Sequence, residues 1–168
     1  MTKAINALEY GEQILKTLSK GAFLTTAANG KQNTMTIGWG SLGFKWGVPT
    51  FTVMVRQSRY TKELIDANSE FTVSFPITGD FKKALGLCGS KSGRDLDKFA
   101  AAGLTLADGQ TVNVPVIAGC GLHLECKIVD TLTMNEEEFD KELGAKWYAD
   151  KDWHTCYTGV ITAAYIEE

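Results

Sequence analysis

The chain has little of what announces a metal centre or a disulfide framework. Its four cysteines, Cys88, Cys120, Cys126 and Cys156, form no CxxC pair, and only His123 and His154 could add imidazole. That spacing speaks against a structural zinc site and reads as four buried small hydrophobes. A basic excess is missing too. The formal net charge of −3 argues against general binding to nucleic acid or to a membrane surface. No long apolar run opens the chain: "MTKAINALEYGEQILKTL" carries Glu9, Glu12 and Lys16, so it reads as neither a signal peptide nor a spanning segment. The expectation is a cytoplasmic protein with reduced thiols. No GxGxxG follows a strand; the glycines of "GWGSLG" precede the apolar run "VPTFTVMV" rather than a helix, which disfavours a parallel dinucleotide-binding sheet. With no repeat and no low-complexity linker, residues 1–168 read as one domain.

What is present has the composition of an ordinary globule, 44% hydrophobic and 22% charged. Apolar spacing predicts a first helix over Ala7 to Leu18, stopped by Gly21. "AFLTTAA", the turn "NGK" and "NTMTIGWGS" then predict a hairpin. Phe51, Val53 and Val55 alternate in a further strand, as do Phe71, Val73 and Phe75 before Pro76. More strands are expected around Val112 to Ile117, Leu122 to Val129 and Gly159 to Ile166. In the second of these, Leu122, Leu124, Cys126 and Ile128 share a face against His123, Glu125 and Lys127. Helices are expected from Asp80 to Leu87, after Asp95 as N-cap with Gly103 beyond the end, and after an Asn135–Glu138 capping pair with Gly144 as the stop. Short strands with helices interposed irregularly favour an α+β fold, a mainly antiparallel β-barrel decorated with helices.

Three segments carry candidate chemistry. "VRQSRYT" places Arg56, Ser58, Arg59, Tyr60 and Thr61 where a strand passes into the helix "YTKELIDA". Ser58 stands where an N-cap would, and free N–H groups with two guanidinium forks make an anion site; a capped helix with two solvated arginines is the plainer alternative. "CGSKSGRDLDKF" puts Lys91, Ser92 and Arg94 on a glycine-bounded loop before another helix, a second anion cradle or a surface turn. In "NTMTIGWGS", Gly38, Gly40 and Ser41 around Trp39 would let a flat ligand approach the backbone, although a tryptophan on a strand is ordinarily core.

At these segments the chain resembles the flavin reductase-like FMN-binding split-barrel family, including small flavoredoxin-like proteins. The matching pieces, in family order, are "NTMTIGWGS", "VRQSRYTKELI", "FTVSFP", "LCGSKSGRDLDKFAAAGLT", "LECKIVD" and "DWHTCYTG". The resemblance implies a split β-barrel, a homodimer and FMN bound near the dimer interface, with the mononucleotide favoured over FAD. It further implies that Arg56, Ser58, Arg59, Tyr60 and Thr61 surround the FMN phosphate and ribityl chain. Asn33, Thr34, Met35, Thr36, Trp39, Gly40 and Ser41 would border the isoalloxazine, and Lys91, Ser92 and Arg94 would close over the phosphate or the ring edge. His154 matches the histidine of the family's Gly-Asp-His motif and is the candidate catalytic residue, although here the motif reads "KDWHT". A cation such as Lys91 or a protonated His154 beside the ring would raise its reduction potential.

Two functions follow from the resemblance. One is an oxidoreductase moving a hydride from NAD(P)H to flavin and electrons onward; the other is an electron carrier between redox proteins. The stretch before His154 is longer than the family's usual, holding "NEEEFDKELG". Cys88, near Lys91 and Arg94, raises a separate idea of a redox-active thiol, against the reading of a buried hydrophobe.

Overall fold

The computed structural model describes residues 1–168. Its elements in chain order are β1 (Thr2–Ala4), α1 (Gly11–Leu18), β2 (Ala22–Ala28), β3 (Lys31–Ile37), β4 (Gly40–Lys45), β5 (Val48–Arg56), α2 (Tyr60–Ala67), β6 (Glu70–Pro76), α3 (Lys82–Ser90), α4 (Lys98–Ala102), β7 (Leu106–Ala107), β8 (Val116–Ile117), β9 (Gly121–Thr133), α5 (Lys141–Trp147) and β10 (His154–Glu167). An antiparallel sheet runs β3-β2-β6-β9-β10-β5-β4, with β1 added to β10; β7 and β8 form a separate short pair. This is the expected α+β, mainly antiparallel arrangement.

Alternation builds the core. Phe51, Val53 and Val55 are completely buried, as are Phe71, Val73 and Phe75 on β6 and Leu122, Leu124 and Cys126 on β9. Burying each such large side chain is worth about 1.5–3 kcal/mol. The intervening β5 residues Thr52, Met54 and Arg56 face the other way and are only half-buried. β9 and β10 slip register between Thr158 and Gly159 and between Ile161 and Ala163. Gly159 is needed at the first slip: a Cβ there would lie 2.7 Å from Cys126 Cβ and 2.9 Å from Phe71 Cε1.

Several boundaries move from the sequence reading. The first helix begins at Gly11, because residues 7–10 form turns. "NTMTIGWGS" is two strands broken at Gly38 and Trp39, and most of Val112 to Ile117 is loop, with only Val116 and Ile117 paired. Asp97, not Asp95, caps α4, accepting from the N–H groups of Phe99 and Ala100; Gly103 closes it in the left-handed conformation. Asn135 and Glu138 do bond each other, but the helix starts later, capped by Asp140, and passes through Gly144. His123 and Glu125 lie on no solvated face. Both are fully buried, because the loop before β8 and the end of β10 cover them. No helix is long and apolar enough to cross a membrane.

Candidate functional site

The break between β3 and β4 opens a cavity. Met35, Thr36, Ile37, Gly38 and Trp39 form one side of a space of about 180 Å³, and Met54, Arg56, Arg59 and His154 form the other. The β5 alternation sends Met54 out toward it, and in the β10–β5 register His154 stands opposite Arg56. Trp39, 40% exposed, lies 5.5 Å from the His154 ring and meets Trp147 edge-to-face at 5.0 Å. This end carries an indole, an imidazole and apolar side chains, with Arg56 and Arg59 on its border.

The second cavity, about 140 Å³, is cationic. The start of α2 contributes Ser58, Arg59, Tyr60 and Thr61, the loop after α3 contributes Lys91, Ser92, Gly93 and Arg94, and Asn33 and Lys98 line it from β3 and α4. Met35 and Arg59 border both cavities, which therefore adjoin and together are termed the groove. Asn33 is buried and donates to Thr61 Oγ1 at 2.9 Å. Gly93 packs so closely on Asn33 that a Cβ would lie 2.1 Å from Asn33 Oδ1. Arg94 stacks on the Tyr60 ring at 5.3 Å, bonds Glu63 through Nε at 3.0 Å and donates to the Ser58 carbonyl at 3.2 Å.

Most of the residues singled out in the sequence come together along this groove, but not all. Thr34 turns to the opposite face of β3, bonding Thr25 and the Leu24 carbonyl. Gly40 and Ser41 belong to the β4–β5 ladder and line neither cavity. Arg56 borders the aromatic end, yet its guanidinium is committed elsewhere: it donates to the Trp147 carbonyl at 2.8 Å, the Asp152 carbonyl at 3.0 Å and the Asp150 carboxylate at 3.2 Å. Nor is Ser58 a free anion ligand. Arg59 occupies the cap position of α2, while the Ser58 N–H and hydroxyl both go to Asp152. The helix start is a carboxylate's seat, as the macrodipole favours.

Residues not singled out include Met54 and Lys98 in the lining and Tyr148 behind His154. Lys98 is buried and donates to the Thr34 and Cys88 carbonyls at 3.0 and 2.9 Å. Burial lowers its pKa, Cys88 partly reverses this, and Arg59 adds to the fall. A lysine just after its helix cap reads as solvated, and nothing local marked its burial. Tyr148, four positions past the expected helix stop at Gly144, is 3% exposed and bonds His154 Nδ1.

Burial and then Arg56 push the His154 pKa down to about 4, with Asp152 pulling it up and Arg59 adding a smaller push down. The imidazole is therefore neutral at pH 7, not the cation the sequence reading allowed. Cys88 is also corrected. It is fully buried, and burial pushes its thiol up despite Lys98, the opposite of an activated thiolate.

The donor set fits FMN. An apolar end walled by Trp39, Met35 and Met54 suits a flat ring, and the adjoining end, with Arg59, Lys91, Arg94 and Lys98, suits a phosphate.

Comparison with known proteins agrees. The family model described as "Flavin reductase like domain" matches residues 15–168. The structure of flavoredoxin from Methanosarcina acetivorans is 32% identical, with a TM-score of 0.69 over 88% of this chain and 68% of that one. An FMN-binding domain of a flavin reductases-like enzyme from Shewanella baltica OS155 shares the fold, with a TM-score of 0.71 and 18% identity over 99% of this chain and 77% of that one. The high molecular weight rubredoxin of Moorella thermoacetica is 26% identical over 153 residues; the match takes 90% of this chain but spans only 58% of that protein's length.

Proposed function

The chain belongs to the flavin reductase-like domain family, and from that premise we propose that it is an FMN-binding oxidoreductase that accepts reducing equivalents from NAD(P)H and passes them on. One observation carries the reading: a cavity bordered by Trp39, Met35 and Met54 adjoins a cationic cavity, with Met35 and Arg59 lining both. FMN, when bound, supplies a centre that takes up a hydride and releases electrons. The residues around it bind, orient and exclude water. Arg59, Lys91 and Lys98 hold the phosphate end, Arg94 braces the start of α2, and Trp39, Met35 and Met54 form apolar walls for the ring. His154 contributes a neutral imidazole beside Trp39.

The test is anaerobic spectroscopy of the protein loaded with FMN. The proposal expects uptake of FMN and bleaching of its visible absorption by NADH or NADPH. Absence of uptake overturns the whole reading.

A second reading, an electron carrier between redox proteins, draws on the likeness to the M. acetivorans flavoredoxin. In that case neither nicotinamide nucleotide bleaches the flavin, and a reduced redox protein does. A homodimer belongs to the proposal as well: Phe44 and Trp46, 62% and 65% exposed at the tip of the β4–β5 hairpin, offer an apolar face to a second copy, and sedimentation of the purified protein tests it.

A further inference from the structure

Resting on the reading of the groove as a flavin site, we propose that Tyr148 is a positioning residue: it holds His154 in the tautomer with the proton on Nε2, so that the imidazole presents a hydrogen-bond donor to the flavin ring.

Tyr148 belongs to the segment between β9 and β10, just after α5. Within it, the Tyr148 ring stacks on Trp153 (4.3 Å between centroids, 18° between planes), meets Phe139 edge-on at 5.5 Å and lies under the Arg56 guanidinium at 5.2 Å. An aromatic ring clamped on three sides has little rotational freedom, so its hydroxyl is aimed. It points at His154 Nδ1, 2.6 Å away.

That hydrogen bond has two possible senses. If His154 Nδ1–H donated, the Tyr148 hydroxyl proton would need another acceptor, and the alternative the structure offers is the thioether of Met134 at 3.7 Å, a weak one. If the hydroxyl donates to Nδ1, an imidazole nitrogen with a full lone pair takes the proton and Nε2 carries the hydrogen. The second arrangement uses the stronger acceptor. Nε2 has no partner in the chain and is not among the sealed, unpartnered polar atoms, while His154 lines the aromatic cavity. The donor therefore faces the ligand.

The charged groups near the ring are Arg56, Asp152 and Arg59, with the Tyr148 phenol at Nδ1. Burial pushes the phenol pKa up, so it remains a donor at neutral pH. With His154 pushed down to about 4, the imidazole is neutral, as the tautomer requires.

The test is a long-range ¹H–¹⁵N correlation spectrum of the full protein with labelled histidine, at pH 7 and without FMN. There are only two histidines, so a His154→Gln spectrum assigns the signals. The wild type is expected to show His154 protonated on Nε2, and Tyr148→Phe, which keeps the stacking ring, to show a mixture with the Nδ1–H form. FMN affinity, read by quenching of flavin fluorescence, should fall about fivefold in Tyr148→Phe, the worth of one neutral hydrogen bond. An Nδ1–H wild type, or an unchanged Nε2–H population in Tyr148→Phe, overturns the assignment. Should Tyr148→Phe not fold, the wild-type spectrum decides the tautomer alone. If that spectrum is as expected but the wild type takes up no FMN, the flavin reading has failed, and the part of the proposal that concerns the ring fails with it.

Discussion

Asp152 accepts hydrogen bonds from both the backbone N–H and the hydroxyl of Ser58, at 3.1 and 2.5 Å. A carboxylate of the chain thus sits at the start of α2, where the sequence invites a phosphate. The loop after α5 is docked there, and in the proposed reading the anion-binding duty shifts along the groove to Arg59, Lys91 and Lys98.

Ser58→Ala is accordingly expected to leave FMN affinity within about threefold, because no phosphate contact is lost, while Arg59→Ala weakens it by more than tenfold. A charge-assisted hydrogen bond is worth about 1.5–3 kcal/mol, and roughly 1.4 kcal/mol is tenfold. Fluorescence titration of the two variants checks the order. The reverse order would return the phosphate to the helix start.

Arg56 is a strap. Its bonds to the carbonyls of Trp147 and Asp152 tie the α5 segment to β5, whereas its pair with Asp150 lies at the surface. Arg56→Ala should destabilise the protein by about 1.5–3 kcal/mol, the range for bonds to a charged donor. Amide exchange should accelerate across residues 141–153 before anywhere else. Asp150→Asn should leave the denaturation midpoint unmoved, since exposed ion pairs add little.

The frame of the fold was legible because its signal is periodic. The alternations of β5, β6 and β9 survive as ladder and core, and the ordered segments mark the groove. What was illegible depends on partners distant in the chain. Ser58 looks like a cap until Asp152, 94 positions on, arrives. Arg56 looks like an anion ligand until three oxygens of the α5 segment fill its donors. His123 and Glu125 sit at alternate positions that normally face solvent, and only the path of residues 108–117 and the C-terminal strand explains their burial. Local pattern reports what a residue offers; it does not report who takes the offer.

The cysteines test the burial of the interior. Cys88, Cys120 and Cys126 are fully buried, and burial pushes all three thiols up; Cys156 is half-buried and also raised, with Lys45 opposing. Native protein at pH 8 should react slowly with iodoacetamide, at Cys156 first, and all four cysteines should react together only after unfolding. Mass spectrometry of timed samples reads this. Rapid labelling of Cys88 would revive a redox role for it.

Glu125 should govern acid stability. Burial alone would raise its pKa, but the N–H groups of Gln110 and Thr111, the Thr111 hydroxyl and the Tyr165 phenol all donate to it and carry the pKa below the ordinary 4.5. Glu167 shows the same balance, with burial opposed by the N–H groups of Gly119 and Gly121 and by His123. A carboxyl depressed in the folded state binds its proton more readily when unfolded. The stability it contributes is fully present above the unfolded pKa and is lost as the pH falls through the folded one. The wild type should therefore keep its denaturation midpoint down to about pH 5 and lose it progressively below. Glu125→Gln turns an amide NH₂ toward groups that themselves donate. At pH 7 it should cost about 1–3 kcal/mol for each donor left without an acceptor. Because the variant has already lost the carboxylate, its midpoint should fall less steeply than the wild type's between pH 5 and pH 3, and the two curves should converge (~, by the same linkage). Urea unfolding at stepped pH measures both slopes. Parallel curves would mean that Glu125 holds its loop without titrating, and would move the acid sensitivity to Glu167.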